Sequence, residues 1–238
     1  MTLATRLPFA TEHFWAHDSV LYARAITDFD PASHQPQVPG YLYYVALLRG
    51  LTVLTADANR SMTLASALAA AAAVVLLYGF AARLYDETTA RAAALLLLTS
   101  AAFWGYGAVA YPYTVLAALT VACAWLFWRV LATTRARTGR LLAASAAWGV
   151  AIGFRFDLLT FLAPLWIVTA ASAGKGPAAV SAAIVVVWDE DTRVQGSEWR
   201  TRRLKHGARL RVADVTHARE LRVTARGVVD LDAPRRSR

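Results

Sequence analysis

Cysteine is almost missing from this chain: of 238 residues only Cys123 carries a thiol. That excludes a disulfide framework and any Cys-based metal site. Its position inside an apolar run reads as a buried, inert thiol. Charge is scarce too. Charged residues make up 17% of the chain against 57% hydrophobic, and the mean hydropathy is +0.39. A soluble domain is nearer about a quarter charged and about half apolar. The excess lies in blocks, which points to an integral membrane protein rather than one large soluble core. Met1 to Ala16 lack the charged n-region and apolar h-region of a signal peptide. There is no internal repeat. No span carries a central ionisable residue, which argues against a small transporter.

What charge there is has a clear sign. The net charge is +9 and the pI about 10.2, values that by themselves would suit nucleic acid. The arginines instead cluster in short loops between apolar runs and in residues 189–238. Loop arginines are what the positive-inside rule expects, so nucleic acid is set aside in favour of membrane lipids.

The apolar blocks then define the architecture: an all-α polytopic membrane protein. Residues 40–54, GYLYYVALLRGLTVL, fall short of the ~20 residues needed to span, and Arg49 interrupts them. They read as an amphipathic helix at the interface. Spans are expected at about 61–82, 90–110 and 112–132, followed by apolar runs at 141–154 and 158–172 that break at Arg155 and Asp157. The Ala-rich stretch 67–73 suits close helix packing. Trp104, Tyr106, Tyr111 and Tyr113 crowd one uncharged turn, and Trp125 and Trp128 mark the other end of the third span, as aromatic belts do.

Arg83 and Arg91 flank one loop and Arg129, Arg135, Arg137 and Arg140 fill another, whereas residues 105–113 carry no charge. The basic loops are therefore expected inside, and the aromatic turn, residues 1–60 and residues 155–157 outside. An outer tail without a signal sequence leads to the expectation that a first helix precedes Met1, with LATRLPF as the end of its exit. Residues 177–188 start like another span but stop short. Beyond Asp189 the pattern changes. VVVWDEDTRVQ, ARLRVADV and ELRVTARGVVDLD alternate at period two, as short strands do. The tail carries thirteen Lys and Arg against eight acids. A small β appendage and a basic, poorly folded tail are both consistent with so thin a core. The division is 1–60, an extracytoplasmic first loop with an interfacial helix; 61–188, the transmembrane helical region; and 189–238, a basic soluble tail.

Candidate chemistry concentrates in residues 17–44, HDSVLYARAITDFDPASHQPQVPGYLYY. Asp18 precedes Tyr22 by four, so both fall on one face if the segment is helical. A carboxylate there suits a general base toward a hydroxyl; the alternative is a capping or solvated aspartate. Asp28 and Asp30 read as turn acids. His13, His17, Asp18 and His34 match no metal-ligand spacing, so no metal is assigned and a divalent cofactor has no support. Arg24, Arg49, Arg60 and Arg155 are outer-face cations whose guanidinium forks suit phosphate, or which snorkel to headgroups. Arg155 and Asp157 stand out because they interrupt an apolar region.

These residues in order resemble a known class. D-x-x-x-Y at Asp18 and Tyr22, HQPQVPGYLYY at His34 to Tyr44, an Arg-containing helix, a span ending in LYGFAARLY and the turn FWGYGAVAYPY are similar to the GT-C membrane glycosyltransferases. That class includes dolichyl-phosphate-mannose protein mannosyltransferases and bacterial aminoarabinose transferases. The resemblance covers residues 1 to about 172. It departs in length and in Ser19, where many relatives carry a second acid. It implies a helical bundle with an outer-face loop, and transfer of a sugar from a polyprenyl-phosphate donor to an acceptor outside the cytoplasm, in the cell envelope. The first-loop acid of the class falls on Asp18 as catalytic residue. Tyr22, His34, Arg49 and Arg155 are the expected substrate-binding residues, the two arginines as choices among the outer cations. A truncated, non-catalytic membrane protein or partner subunit is the alternative.

Overall fold

The computed structural model describes residues 1–30, 36, 41–133 and 136–185, together with the backbone of 209–213, 218–224 and 227–230. These group into two units, within Met1–Gly196 and Ser197–Arg238. Every element described in the first is helical. A 3-10 turn at Leu7–Phe9 precedes α1 (His17–Thr27), α2 (Leu42–Thr55), α3 (Ala58–Leu84), α4 (Glu87–Thr99), α5 (Ala101–Tyr106), α6 (Tyr113–Leu131), α7 (Arg137–Phe154), α8 (Asp157–Ala173) and α9 (Lys175–Val185).

The helix boundaries follow local chemistry. α1 opens with Asp18 and closes with Arg24, matching the helix dipole at both ends. Asp57 caps α3 by accepting from the Arg60 N–H at 2.7 Å, and Asp86 caps α4 by accepting from the Thr89 N–H at 2.8 Å. Pro164 sits inside α8, where it removes one backbone hydrogen bond.

Among the described residues two helices, α3 and α6, are long and apolar enough to cross a membrane. The fold is that of a helical membrane protein. At 14 residues α2 is too short to span. The span expected at 90–110 is broken: α4 ends at Thr99, Ser100 turns extended (ψ 119°), and α5 starts at Ala101. Hydropathy reads that run as continuous, but Ser100 supplies a cap for α5, accepting from the Phe103 N–H.

Two cores meet in the bundle. One joins α6, α7 and α8 through Phe127, Leu141, Ala144, Trp148, Leu158 and Leu162. The other gathers Tyr22, Tyr41, Tyr44, Leu48, Met62 and Val115 around α1, α2, α3 and α6. Leu119 and Phe154 pack against both. Small side chains set the close seams. A Cβ on Gly79 would come within 2.9 Å of the Trp125 ring, and one on Gly153 within 2.1 Å of Tyr43.

The second unit is a three-stranded antiparallel sheet in the order β1 (Arg209–Ala213), β2 (Ala218–Thr224), β3 (Gly227–Asp230). Leu210 is in register with Leu221, and Val223 with Val228. β1 and β3 fall within the two later alternating segments, and β2 begins two residues ahead of the last one. The first, at 185–195, lies almost wholly outside the described residues.

Candidate active site

Asp18 stands in the first turn of α1, where unpaired backbone N–H groups favour negative charge. The next residue, Ser19, is fully buried and its hydroxyl donates to the Ala110 carbonyl at 2.7 Å. That bond ties α1 to the turn between α5 and α6. From α3, the Ser66 hydroxyl donates to the Tyr111 carbonyl at 2.7 Å, and Thr114 donates to the Ser66 carbonyl at 2.9 Å. The turn is held from both sides. Its Tyr111 hydroxyl donates to Asp18 Oδ2 at 2.6 Å. Such a charge-assisted bond is worth about 1.5–3 kcal/mol when fully enclosed and less where, as here, it is part-buried. Burial and Asp18 hold the Tyr111 phenol well above its ordinary pKa, so it remains a donor.

Beyond Tyr111 the contacts continue through aromatic rings. Tyr111 stacks on Tyr113 with centroids 4.9 Å apart, and Tyr106 meets Tyr113 edge-on at 4.8 Å. The Arg155 guanidinium lies over the Tyr113 ring, 5.7 Å from its centroid, and Arg155 Nε donates to Asp157 at 2.7 Å. Burial opposes the Arg155 charge, but Tyr41, Asp157 and Tyr113 outweigh it and raise the pKa. Acid, phenol, ring and cation thus follow one another at a single end of the bundle.

Tyrosines also back the site. Tyr22 is 1% exposed and meets Tyr41 and Tyr44 edge-on at 5.1 and 5.2 Å. Burial pushes its phenol pKa up. Tyr41 holds a left-handed backbone (φ 45°, ψ 41°) immediately before α2, a strain of about 1–3 kcal/mol for such a residue. The Tyr44 hydroxyl is buried with no hydrogen-bond partner among the described residues.

The structure therefore brings Asp18 and Arg155 to one end, linked through Tyr111 and Tyr113. Tyr22 shares the helix of Asp18, but its ring is turned into the core. Arg49 is exposed, and its guanidinium is engaged with the last turn of α1: Nε donates to the Ile26 carbonyl at 2.9 Å and Nη2 to the Ala25 carbonyl at 3.2 Å. His34 lies outside the described residues. His13 and His17 are exposed. Among the described residues no three His, Cys, Asp or Glu side chains form a metal-ligating group.

Two residues escaped the sequence reading. Tyr111 registers there only as an interfacial aromatic; the signal that would have found it is a hydroxyl in an uncharged turn. Arg6 is fully buried, with its guanidinium 5.5 Å from the Phe103 ring centroid and Nη2 donating to the Leu98 carbonyl at 3.4 Å. It pins the N-terminal segment against α4 and α5. An arginine among LATRLPF carries no local mark of that burial.

The family model for dolichyl-phosphate-mannose-protein mannosyltransferase matches residues 37–187, more than half of the chain. Tyr111, Tyr113, Arg49 and Arg155 lie inside the matched segment; Asp18 and Tyr22 precede it. Neither the curated proteins nor the solved structures give a match.

Proposed function

This chain belongs to the dolichyl-phosphate-mannose-protein mannosyltransferase family, and from that premise we propose that it moves a sugar from a polyprenyl-phosphate donor to a hydroxyl acceptor on the extracytoplasmic face of the membrane. The family is one of GT-C membrane glycosyltransferases that draw on lipid-phosphate-linked sugars. In this reading the protein is a multi-pass protein of the cell membrane. Residues 1–60 are its outer loop, 61–188 its membrane region and 189–238 its basic soluble tail.

Asp18 is the general base. As the acceptor oxygen bonds to the anomeric carbon, its proton passes to the Asp18 carboxylate. The bond from that carbon to the phosphate oxygen breaks, and its electron pair stays on the lipid phosphate. Arg155 stabilises that leaving charge, because a guanidinium fork matches two phosphate oxygens. His34 and the part of the Arg49 fork not used on α1 complete the contacts to substrate. Tyr22, packed edge-on against Tyr41 and Tyr44, supports them from within the core.

The observation that supports this reading most is the 2.6 Å bond from Tyr111 to Asp18, with Arg155 just beyond Tyr113 at the same end of the bundle. The test is sugar transfer from a labelled polyprenyl-phosphate donor in reconstituted membranes, comparing the parent with Asp18→Asn at equal expression. Asn keeps size and most hydrogen bonding but cannot take the proton, and loss of a general base costs ~10²–10⁴ in rate. An active parent whose Asn variant keeps near-full rate removes Asp18 from the chemistry.

A further inference from the structure

At the end of the bundle away from Asp18, α6 and α7 form a hairpin with a groove beside its seam. Arg129 lies 16 residues beyond Tyr113 on α6, about 24 Å along the helix. The seam itself is filled by Phe127, Val130, Leu141 and Ala144, all buried. Next to it a groove of about 280 Å³ opens, with Leu126 and Arg129 on one wall and Ala136, Gly139, Arg140 and Ala143 on the other. The α7 wall is low because its residues are small: a Cβ on Gly139 would meet nothing within 4 Å. The groove is mostly apolar, yet two arginines stand at its edge.

Among the described residues those arginines are uncommitted. Arg137, between them in sequence, donates to the Thr133 and Ser172 carbonyls at 3.1 and 2.8 Å. Arg129 and Arg140 make no side-chain hydrogen bond or ion pair among the described residues. The first turn of α7, residues 137–139, adds backbone N–H groups without intrahelical partners. Trp125 and Trp128 precede Arg129 by one turn or less, the placement of residues at the headgroup level. Two cations without a partner among the described residues, a helix start and an apolar trough at a membrane interface together have the chemistry of a site for a phosphate diester attached to acyl chains.

We propose that the α6–α7 groove binds an anionic phospholipid, its headgroup phosphate between Arg129 and Arg140 and an acyl chain along Leu126 and Ala143. The site is separate from the sugar-transfer reading and does not depend on it.

The test uses the full chain reconstituted in phosphatidylcholine vesicles containing spin-labelled phosphatidylglycerol or spin-labelled phosphatidylcholine, and measures the motionally restricted fraction of each. The parent is expected to prefer phosphatidylglycerol by on the order of tenfold, as two interfacial cations supply. Arg129→Gln with Arg140→Gln should bring that preference to near one. Gly139→Leu should do the same by filling the groove while leaving both charges, with helicity unchanged by circular dichroism. A parent with no preference, or a preference that survives both the double variant and Gly139→Leu, overturns the proposal. Displacement of the labelled lipid by millimolar inorganic phosphate would also overturn it, because the site would then belong to free phosphate.

Discussion

Removing one oxygen from Tyr111 isolates what holds Asp18 in place. In Tyr111→Phe the backbone remains fixed by Ser66, and the ring remains stacked on Tyr113. Only the 2.6 Å bond to Asp18 Oδ2 is lost. The bond is part-buried, so water replaces some of its worth, and the stability loss should stay at or below about 1 kcal/mol, under the 1.5–3 expected of a fully enclosed charged bond. The larger effect is on turnover. A general base must lie within hydrogen-bond reach of the proton it takes, and a misplacement near 1 Å costs about 10² in rate. We therefore expect kcat to fall roughly 10- to 100-fold with the donor KM little changed. Tyr106→Phe, which leaves the Asp18 bond intact, serves as the control and should keep near-parental kcat.

A double variant sharpens the test. If Tyr111 acts through Asp18, adding Tyr111→Phe to Asp18→Asn should cost almost nothing further, because residues acting as a unit are non-additive. Transfer from labelled donor in reconstituted membranes gives all four rates. Fully additive losses, or a Phe variant at parental kcat, would refute the reasoning.

Three other changes probe the surroundings. Arg155→Gln should lower transfer by about 10²–10³, with Arg155→Lys recovering part of it, since lysine keeps the charge but not the fork; a Gln variant at parental rate removes Arg155 from the leaving phosphate. Gly153→Ala should destabilise the α2–α7 seam by about 1–3 kcal/mol, because its Cβ would sit 2.1 Å from the Tyr43 ring; thermal unfolding in detergent reads this, and an unchanged midpoint would contradict the close approach. Tyr44→Phe removes a buried hydroxyl without a partner among the described residues, so it should be neutral or stabilising by up to about 1 kcal/mol. A clear loss in the same assay would reveal a partner for that hydroxyl.

How far the sequence reaches into this site differs from residue to residue. The register of α1 is legible because its signal is local: the four-residue spacing of Asp18 and Tyr22. The break at Arg155 and Asp157 is legible because two charges interrupt an apolar run. The bond between Asp18 and Tyr111 is not, since 93 residues separate the partners and no periodicity links a side chain on one helix to a turn between two others. The break at Ser100 is hidden for a different reason. Hydropathy averages composition over a window, whereas a helix stop is decided by one backbone angle and one cap.

Asp18 and Tyr22 show where helical register itself stops being informative. Four residues apart, they share a stripe on α1, and the sequence places both toward substrate. The register fixes their angle about the helix axis but not their depth. Asp18, in the first turn, reaches the rim where the α5–α6 turn comes up to meet it. Tyr22, one turn deeper, falls beneath Tyr41 and Tyr44 and becomes 1% exposed. Depth is set by what packs against the helix, and here that is α2, whose start is fixed by the left-handed backbone of Tyr41. The same stripe thus carries the Tyr111-bonded carboxylate at its upper end and a buried aromatic ring at its lower one, so a substitution at Tyr22 should act through stability before it acts through substrate.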